Sequence, residues 1–191
     1  MRKGQRLQSI LRSPRTVFTT EDIASLWGEP LSAVLRGRLA YYVRTGALIR
    51  IRRGVYAKDQ AFDRLEMATC LFRPSYVSFE TVLWREGLIL SESPYIHVAS
   101  YLSRQLNCGG RLIRFHKVRR ILLRKACLLD RSNVYPIATL ERALLDTLRR
   151  DRNIRVGTLG DVDREEVYRH LHLYRNRSLE LQVESMLWGR Y

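Results

Sequence analysis

Between Phe18 and Ala57 the apolar residues switch from the period of a helix to that of a strand, and this switch narrows the available folds more than any other feature of the chain. Thr19 and Asp22 have the spacing of a capping box. The hydroxyl accepts from a free first-turn amide, and the carboxylate suits the positive end of the helix. Ile23, Leu26 and Trp27 recur at helical spacing until Gly28, Glu29 and Pro30 stop the helix. Ser32 can cap a second helix, whose apolar positions Leu35, Leu39, Tyr42 and Val43 fall within about 80° of one another at ~100° per residue. Gly46 fits a left-handed cap at its end.

From Leu48 to Ala57 the pattern alternates. Leu48, Arg50 and Arg52 fall on one side, Ile49 and Ile51 on the other, with a turn at Arg53 and Gly54. Two short helices followed by a basic hairpin is the order of a winged helix-turn-helix. A leading helix over residues 3–12, with Leu7, Ile10 and Leu11 on one face, would complete its core. Opposite its apolar stripe the second helix carries Ala33, Gly37, Ala40, Tyr41 and Arg44, flanked by Arg36 and Arg38. Glycine inside a helix costs roughly 1 kcal/mol relative to alanine, which close approach to a DNA groove would offset. The expected DNA contacts are Ser32, Arg36, Arg38, Tyr41 and Arg44 from the helix and Arg50, Arg52 and Arg53 from the wing. Arginines at a hairpin tip suit phosphate or minor-groove contact.

Charge follows the same division. Residues 1–58 hold 12 Lys+Arg against 3 Asp+Glu, whereas the remainder holds 22 against 16. Most of the net charge of +15 therefore lies in the first third, an electrostatic footprint for nucleic acid. A hydrophobic content of 46% is ample for a buried core. No apolar run approaches the roughly 18 residues that span a bilayer, and the N-terminal segment lacks the apolar stretch of a signal peptide, so a cytoplasmic protein without membrane association is expected. Cys70, Cys108 and Cys127 form no C-x-x-C, and His97, His116, His170 and His172 show no ligand spacing with them. Neither a metal nor a cofactor is expected.

Residues 59–191 read as mixed α and β, giving an α+β chain with a boundary near residue 58. A helix over 61–72 should end before Pro74, and Ser78 can cap the helix FETVLWREG. Strands are expected at 95–100, 112–117 and 121–129, with a turn at residues 107–110. Thr139 can cap a helix over 140–150, striped by Leu140, Ala143, Leu144 and Leu148, and two amphipathic helices follow at about 163–174 and 178–188. Asp161, Asp163, Glu165 and Glu166 start the first of these. The macrodipole favours acids there, which accounts for them without catalysis.

Three segments together resemble the AbiEi family of antitoxins from type IV toxin-antitoxin systems: LAYYVRTGALIRIRRGVYA, YVSFETVLWREGLI and YPIATLERALLDTL. Leu140 stands where that family has proline at the start of the third segment; proline is favoured at a first helical position, and leucine replaces it there without breaking the helix. The resemblance implies a winged helix that binds double-stranded promoter DNA and represses its own operon. It also implies a C-terminal domain, residues 59–191, that counters a co-encoded nucleotidyltransferase-like toxin; with the acidic cluster accounted for by its helix start, no enzyme is expected. A stand-alone regulator and a nuclease carrying a winged helix are the other readings, the latter without a P-loop or nucleophile elbow to support it. Arg111, Arg114, Lys117, Arg119, Arg120, Arg124 and Lys125 form a basic stretch expected to meet an acidic partner, and deletion of the first 58 or so residues is expected to separate repression from neutralisation.

Overall fold

The computed structural model describes residues 3–124, 129–130 and 132–189. The fold is α+β, built on two sheets. The first part runs α1 (Lys3–Arg12), β1 (Val17–Thr19), α2 (Thr20–Trp27), α3 (Ala33–Arg44), β2 (Ile49–Arg52) and β3 (Val55–Ala57). Its sheet has the order β1-β3-β2, all antiparallel. Local chemistry sets the helix ends. Asp22 N donates to Thr19 Oγ1 at 3.1 Å while Thr19 N donates to Asp22 Oδ2 at 2.9 Å, completing the capping box. Ser32 Oγ accepts from Leu35 N at 3.2 Å, and Gly28 ends α2 with φ +65°. Ile10, Ile23, Trp27, Leu35, Leu39 and Tyr42 bury their side chains together, closing a three-helix core.

The second part runs α4 (Arg64–Leu71), β4 (Ser75–Val77), α5 (Glu80–Arg85), β5 (Tyr95–Ser100), β6 (Arg104–Cys108), β7 (Arg111–Lys117), α6 (Arg120–Arg124), β8 (Leu129–Asp130), β9 (Ile137–Ala138), α7 (Leu140–Arg150), α8 (Arg164–Leu171), a 3-10 turn (His172–Tyr174) and α9 (Arg177–Trp188). Its six strands form a mixed sheet in the order β6-β7-β5-β4-β9-β8. One face packs on α5, α7, α8 and α9 through residues such as Tyr76, Val82, Leu144, Val167 and Val183. The other face meets α4 and the small sheet. Ile96, Val98, Cys108, Ile113 and Phe115 share a core with Val17, Val55 and Ala57, and Ile49 and Ile51 pack against it.

The two parts are therefore joined by a common core and not by a linker. Polar contacts reinforce the junction. Glu66 is fully buried and accepts from Arg15 Nε at 3.1 Å, Thr16 N at 2.8 Å, Thr16 Oγ1 at 2.7 Å and Val17 N at 3.2 Å. Asp22, besides capping α2, takes both arms of the Arg73 fork at 2.7 and 2.8 Å. Burial pushes the Asp22 carboxyl up, but Arg73, the Thr19 amide and Arg15 overcome it and hold the group far below the usual carboxylate range. At the β6–β7 turn Gly109 has φ +57°, and a Cβ there would stand 2.6 Å from Met67 Sδ, so only glycine lets this turn close on α4.

Three sequence-based expectations change. The stretch 121–129 is not one strand: α6 occupies its start, β8 contributes only Leu129 and Asp130, and residues 125–128, with Lys125 and Cys127, lie outside the described residues. Ser78 does not cap α5, which begins after Phe79 without a side-chain cap; the Ser78 hydroxyl donates to Asp146 Oδ2 at 2.8 Å. β6 lies between Ser100 and the 107–110 turn, where no strand was expected.

Candidate nucleic-acid interface

α3 and the wing enclose a cleft of about 510 Å³. Arg36, Ala40 and Arg44 line it from successive turns of α3, and Arg50, Arg53 and Gly54 face them from the hairpin. Ala40, with only a methyl group, leaves room between the arginines of the helix and those of the hairpin. Gly54, at φ +81°, makes the tight turn that brings Arg53 to the rim. Glu21 of α2 also borders the cleft.

The structure does not bring all eight expected DNA contacts together. Ser32 is occupied as the helix cap. Arg38 pairs with Glu29, which also accepts from Arg6 Nε at 2.7 Å, so this arginine ties α3 to α1 and to the turn. Tyr41 lies with Gly37 and Val34 around a second hollow of about 430 Å³ facing Arg6. A bulge between Arg50 and Arg52 breaks the hairpin register, and Arg52 sits where its charge acts on Cys108 of the larger sheet. Arg36, Arg44, Arg50 and Arg53 remain as the convergent set.

The basic stretch beginning at Arg111 is likewise divided. Arg114 points to one face of β7, whereas Ile113 and Phe115, of the parity of Arg111 and Lys117, point into the shared core. Arg119 Nη1 donates to the carbonyls of Leu173 and Tyr174 at 3.3 and 3.1 Å and braces the 3-10 turn. Arg120 and Arg124 are exposed on α6. In the Glu141–Asp146 segment Asp146 is buried and accepts from Tyr76 Oη, Ser78 Oγ and Tyr174 Oη at 2.8–2.9 Å. Burial pushes its carboxyl up, against the charge of Arg142, which is itself buried with its guanidinium 4.2 Å from the Tyr76 ring centre. This segment is thus core scaffold. Asp163 caps α8 by accepting from Glu165 N and Glu166 N, and Glu166 pairs with Arg169.

Sequence reading missed a cluster beside β5. His97 Nδ1 and His116 Nε2 approach to 2.8 Å, their rings parallel within 1°. Two ring nitrogens at that distance need one proton between them. Arg150 Nη1 donates to His116 Nε2 at 3.1 Å, so His97 Nδ1 carries the proton and His97 Nε2 accepts from Ser93 Oγ at 2.8 Å. Burial, with the charges of Arg150 and Arg114, lowers His97 to about 4 and His116 to about 3, against the pull of Glu80. Below them Phe79 has φ +59° and ψ −145°, a strained conformation for a bulky residue, with its ring 4.5 Å from that of His116. Among the described residues no group of His, Cys, Asp and Glu is arranged to hold a metal.

No family model matches the chain, and no curated protein matches it. Among solved structures it is similar to the crystal structure of the RV2827C protein from Mycobacterium tuberculosis, with a TM-score of 0.53 at 15% identity, over 96% of this chain and 75% of that one. At that identity the likeness is one of fold. No helix among the described residues is long and apolar enough to cross a membrane.

Proposed function

We propose that the chain is the antitoxin of a type IV toxin-antitoxin pair: its winged helix binds duplex promoter DNA to repress its own operon, and its second part opposes a co-encoded nucleotidyltransferase-like toxin in the cytoplasm, without catalysis of its own. The observation that carries the DNA-binding part is the convergence of Arg36, Arg44, Arg50 and Arg53 on one cleft between α3 and the wing. Phosphate contacts from the wing would fix register, and Arg36, near the start of α3, would read a guanine edge through its fork. The antitoxin part rests on the resemblance of the three sequence segments. Because Arg142, Ala143, Leu144, Leu145 and Asp146 are buried, contact with the toxin would come from other surfaces.

Two measurements test this reading. Titration of the purified chain with its own promoter fragment should show salt-dependent binding, tighter than to random duplex of equal length. Co-expression with the neighbouring gene should rescue growth. If the neighbour is not toxic, or the chain fails to rescue at equal abundance, the antitoxin reading fails.

A further inference from the structure

On the helix-covered face of the larger sheet, His97 is buried against Glu80 of α5 and Arg150 of α7, but Gln105 is exposed and Tyr95, Arg114 and His116 are half-buried. We propose that this margin of planar and cationic groups is a stacking platform for single-stranded nucleic acid. This inference does not rest on duplex binding by the winged helix, since it uses other residues on another element.

The pairing register sets His97 opposite Arg114 and Arg114 opposite Gln105, so these side chains share a face with Tyr95 and His116. The opposite face of the same strands lies in the shared core. The Arg114 guanidinium stands over the Tyr95 ring, 3.9 Å from its centre. With the Gln105 amide turned so that its oxygen faces the fork, that oxygen accepts from Arg114 Nε at 2.8 Å and Nη2 at 3.0 Å. The plane of the cation is thereby fixed before any ligand arrives. Among the described residues no carboxylate forms an ion pair with Arg114, and Glu80, the acid at the neighbouring histidine pair, is already held by Arg150. Beyond Tyr95 a pocket of about 140 Å³ is lined by Trp84, Arg85 and Arg111 together with the carboxylates of Glu80 and Glu92, and Trp84 offers an exposed indole beside the track.

These features select the ligand. A cation held over an aromatic ring offers a π surface as well as charge, which suits a nucleobase with its phosphate. An acidic protein surface needs only the charge, which mobile side chains supply. Bases paired in a duplex hide their faces, so the strand that stacks here must be single.

The test is fluorescence anisotropy of fluorescein-labelled oligo(U) and oligo(dT) with the full chain. Arg114→Glu and Tyr95→Ala should each weaken binding about tenfold, within the range measured for removal of one stacked base. Arg114→Lys, which keeps charge and loses the plane, should weaken it several-fold, whereas Arg50→Ala/Arg53→Ala should leave it intact. In the unaltered chain, oligo(U) should shift the ring resonances of His116, the half-exposed member of the histidine pair, a readout that needs no variant to fold. Preference between the two strands assigns RNA or DNA. Any of the following overturns the platform: no binding of either strand at low salt, silent His116 resonances, full binding by Arg114→Lys, or abolished binding in the wing double variant. Retention of a protein partner that Arg114→Glu no longer holds, with no affinity for either strand, would likewise replace it with a protein-docking face.

Discussion

At the scale of single residues, side chains of one type divide into those that support the fold and those left to bind. Arg36 and Arg38 sit two apart on α3, yet Arg38 is held by Glu29 and Arg36 faces the cleft. Arg36→Ala should cost ~1 to 3 kcal/mol on the specific promoter site and much less on random duplex, measured by anisotropy titration. Arg38→Ala should leave both affinities nearly unchanged. Equal losses on both DNAs would make Arg36 a phosphate clamp. Asp146 is the converse case, a charge wholly committed to three hydroxyls and a neighbouring arginine. Asp146→Ala should destabilise the chain by ~3 to 5 kcal/mol in urea unfolding, because it strands buried donors and the charge of Arg142. His97 and His116 give a pH prediction with a definite sign. Their folded values of about 4 and about 3 lie below the ordinary 6.5, so the unfolded chain binds more protons in between. Stability should be full above pH 6.5 and fall as pH drops toward 4. Melting temperatures across that range check it, and His97→Gln/His116→Gln should flatten the profile.

At the scale of elements, what the sequence revealed was chemistry confined to a few neighbouring residues. The Thr19–Asp22 box, the Ser32 cap and the Thr139 cap of α7 each join groups three residues apart, so spacing alone identified them. Ser78 misled because its true partner, Asp146, is 68 residues away. The run Ile121–Leu123 is apolar without a clear period, which suits a strand and a buried helix equally, and α6 is the outcome. β6, with the sequence RQLNC, has almost no apolar alternation and is a strand because β7 pairs with it. The histidine pair is built from two strands whose register no local pattern encodes. In the wing, alternation correctly exposed Arg50 and Arg52, but the bulge between them turned Arg52 away from the cleft. Arg50→Ala/Arg53→Ala should therefore reduce the log-log salt slope of promoter binding by about 0.9 for each phosphate that is no longer neutralised. Arg52→Ala should not. An unchanged slope in the double variant would remove the wing from the interface.

At the scale of the whole molecule, the composition shift near residue 59 marks a change of charge more than an independent unit. Deleting residues 1–58 takes Val17, Val55 and Ala57 out of the shared core and strips Glu66 of the amides and hydroxyl it accepts from. A fragment of residues 60–191 should accordingly lose cooperative unfolding in a thermal melt, and repression and neutralisation are better separated by arginine substitutions in the cleft than by truncation. A sharp melt for the fragment, close to that of the full chain, would show that the larger sheet stands alone. The shared core has a further consequence for how an operator would be chosen. The inner side of the hairpin, Ile49 and Ile51 with Val55 and Ala57, packs against the larger sheet, so widening the gap between α3 and the wing would cost buried apolar contact. On the reading that this cleft holds DNA, the duplex would do more of the adjusting. Base steps that bend and twist easily would then be favoured at positions no side chain touches, and selectivity would come partly from the stiffness of the DNA.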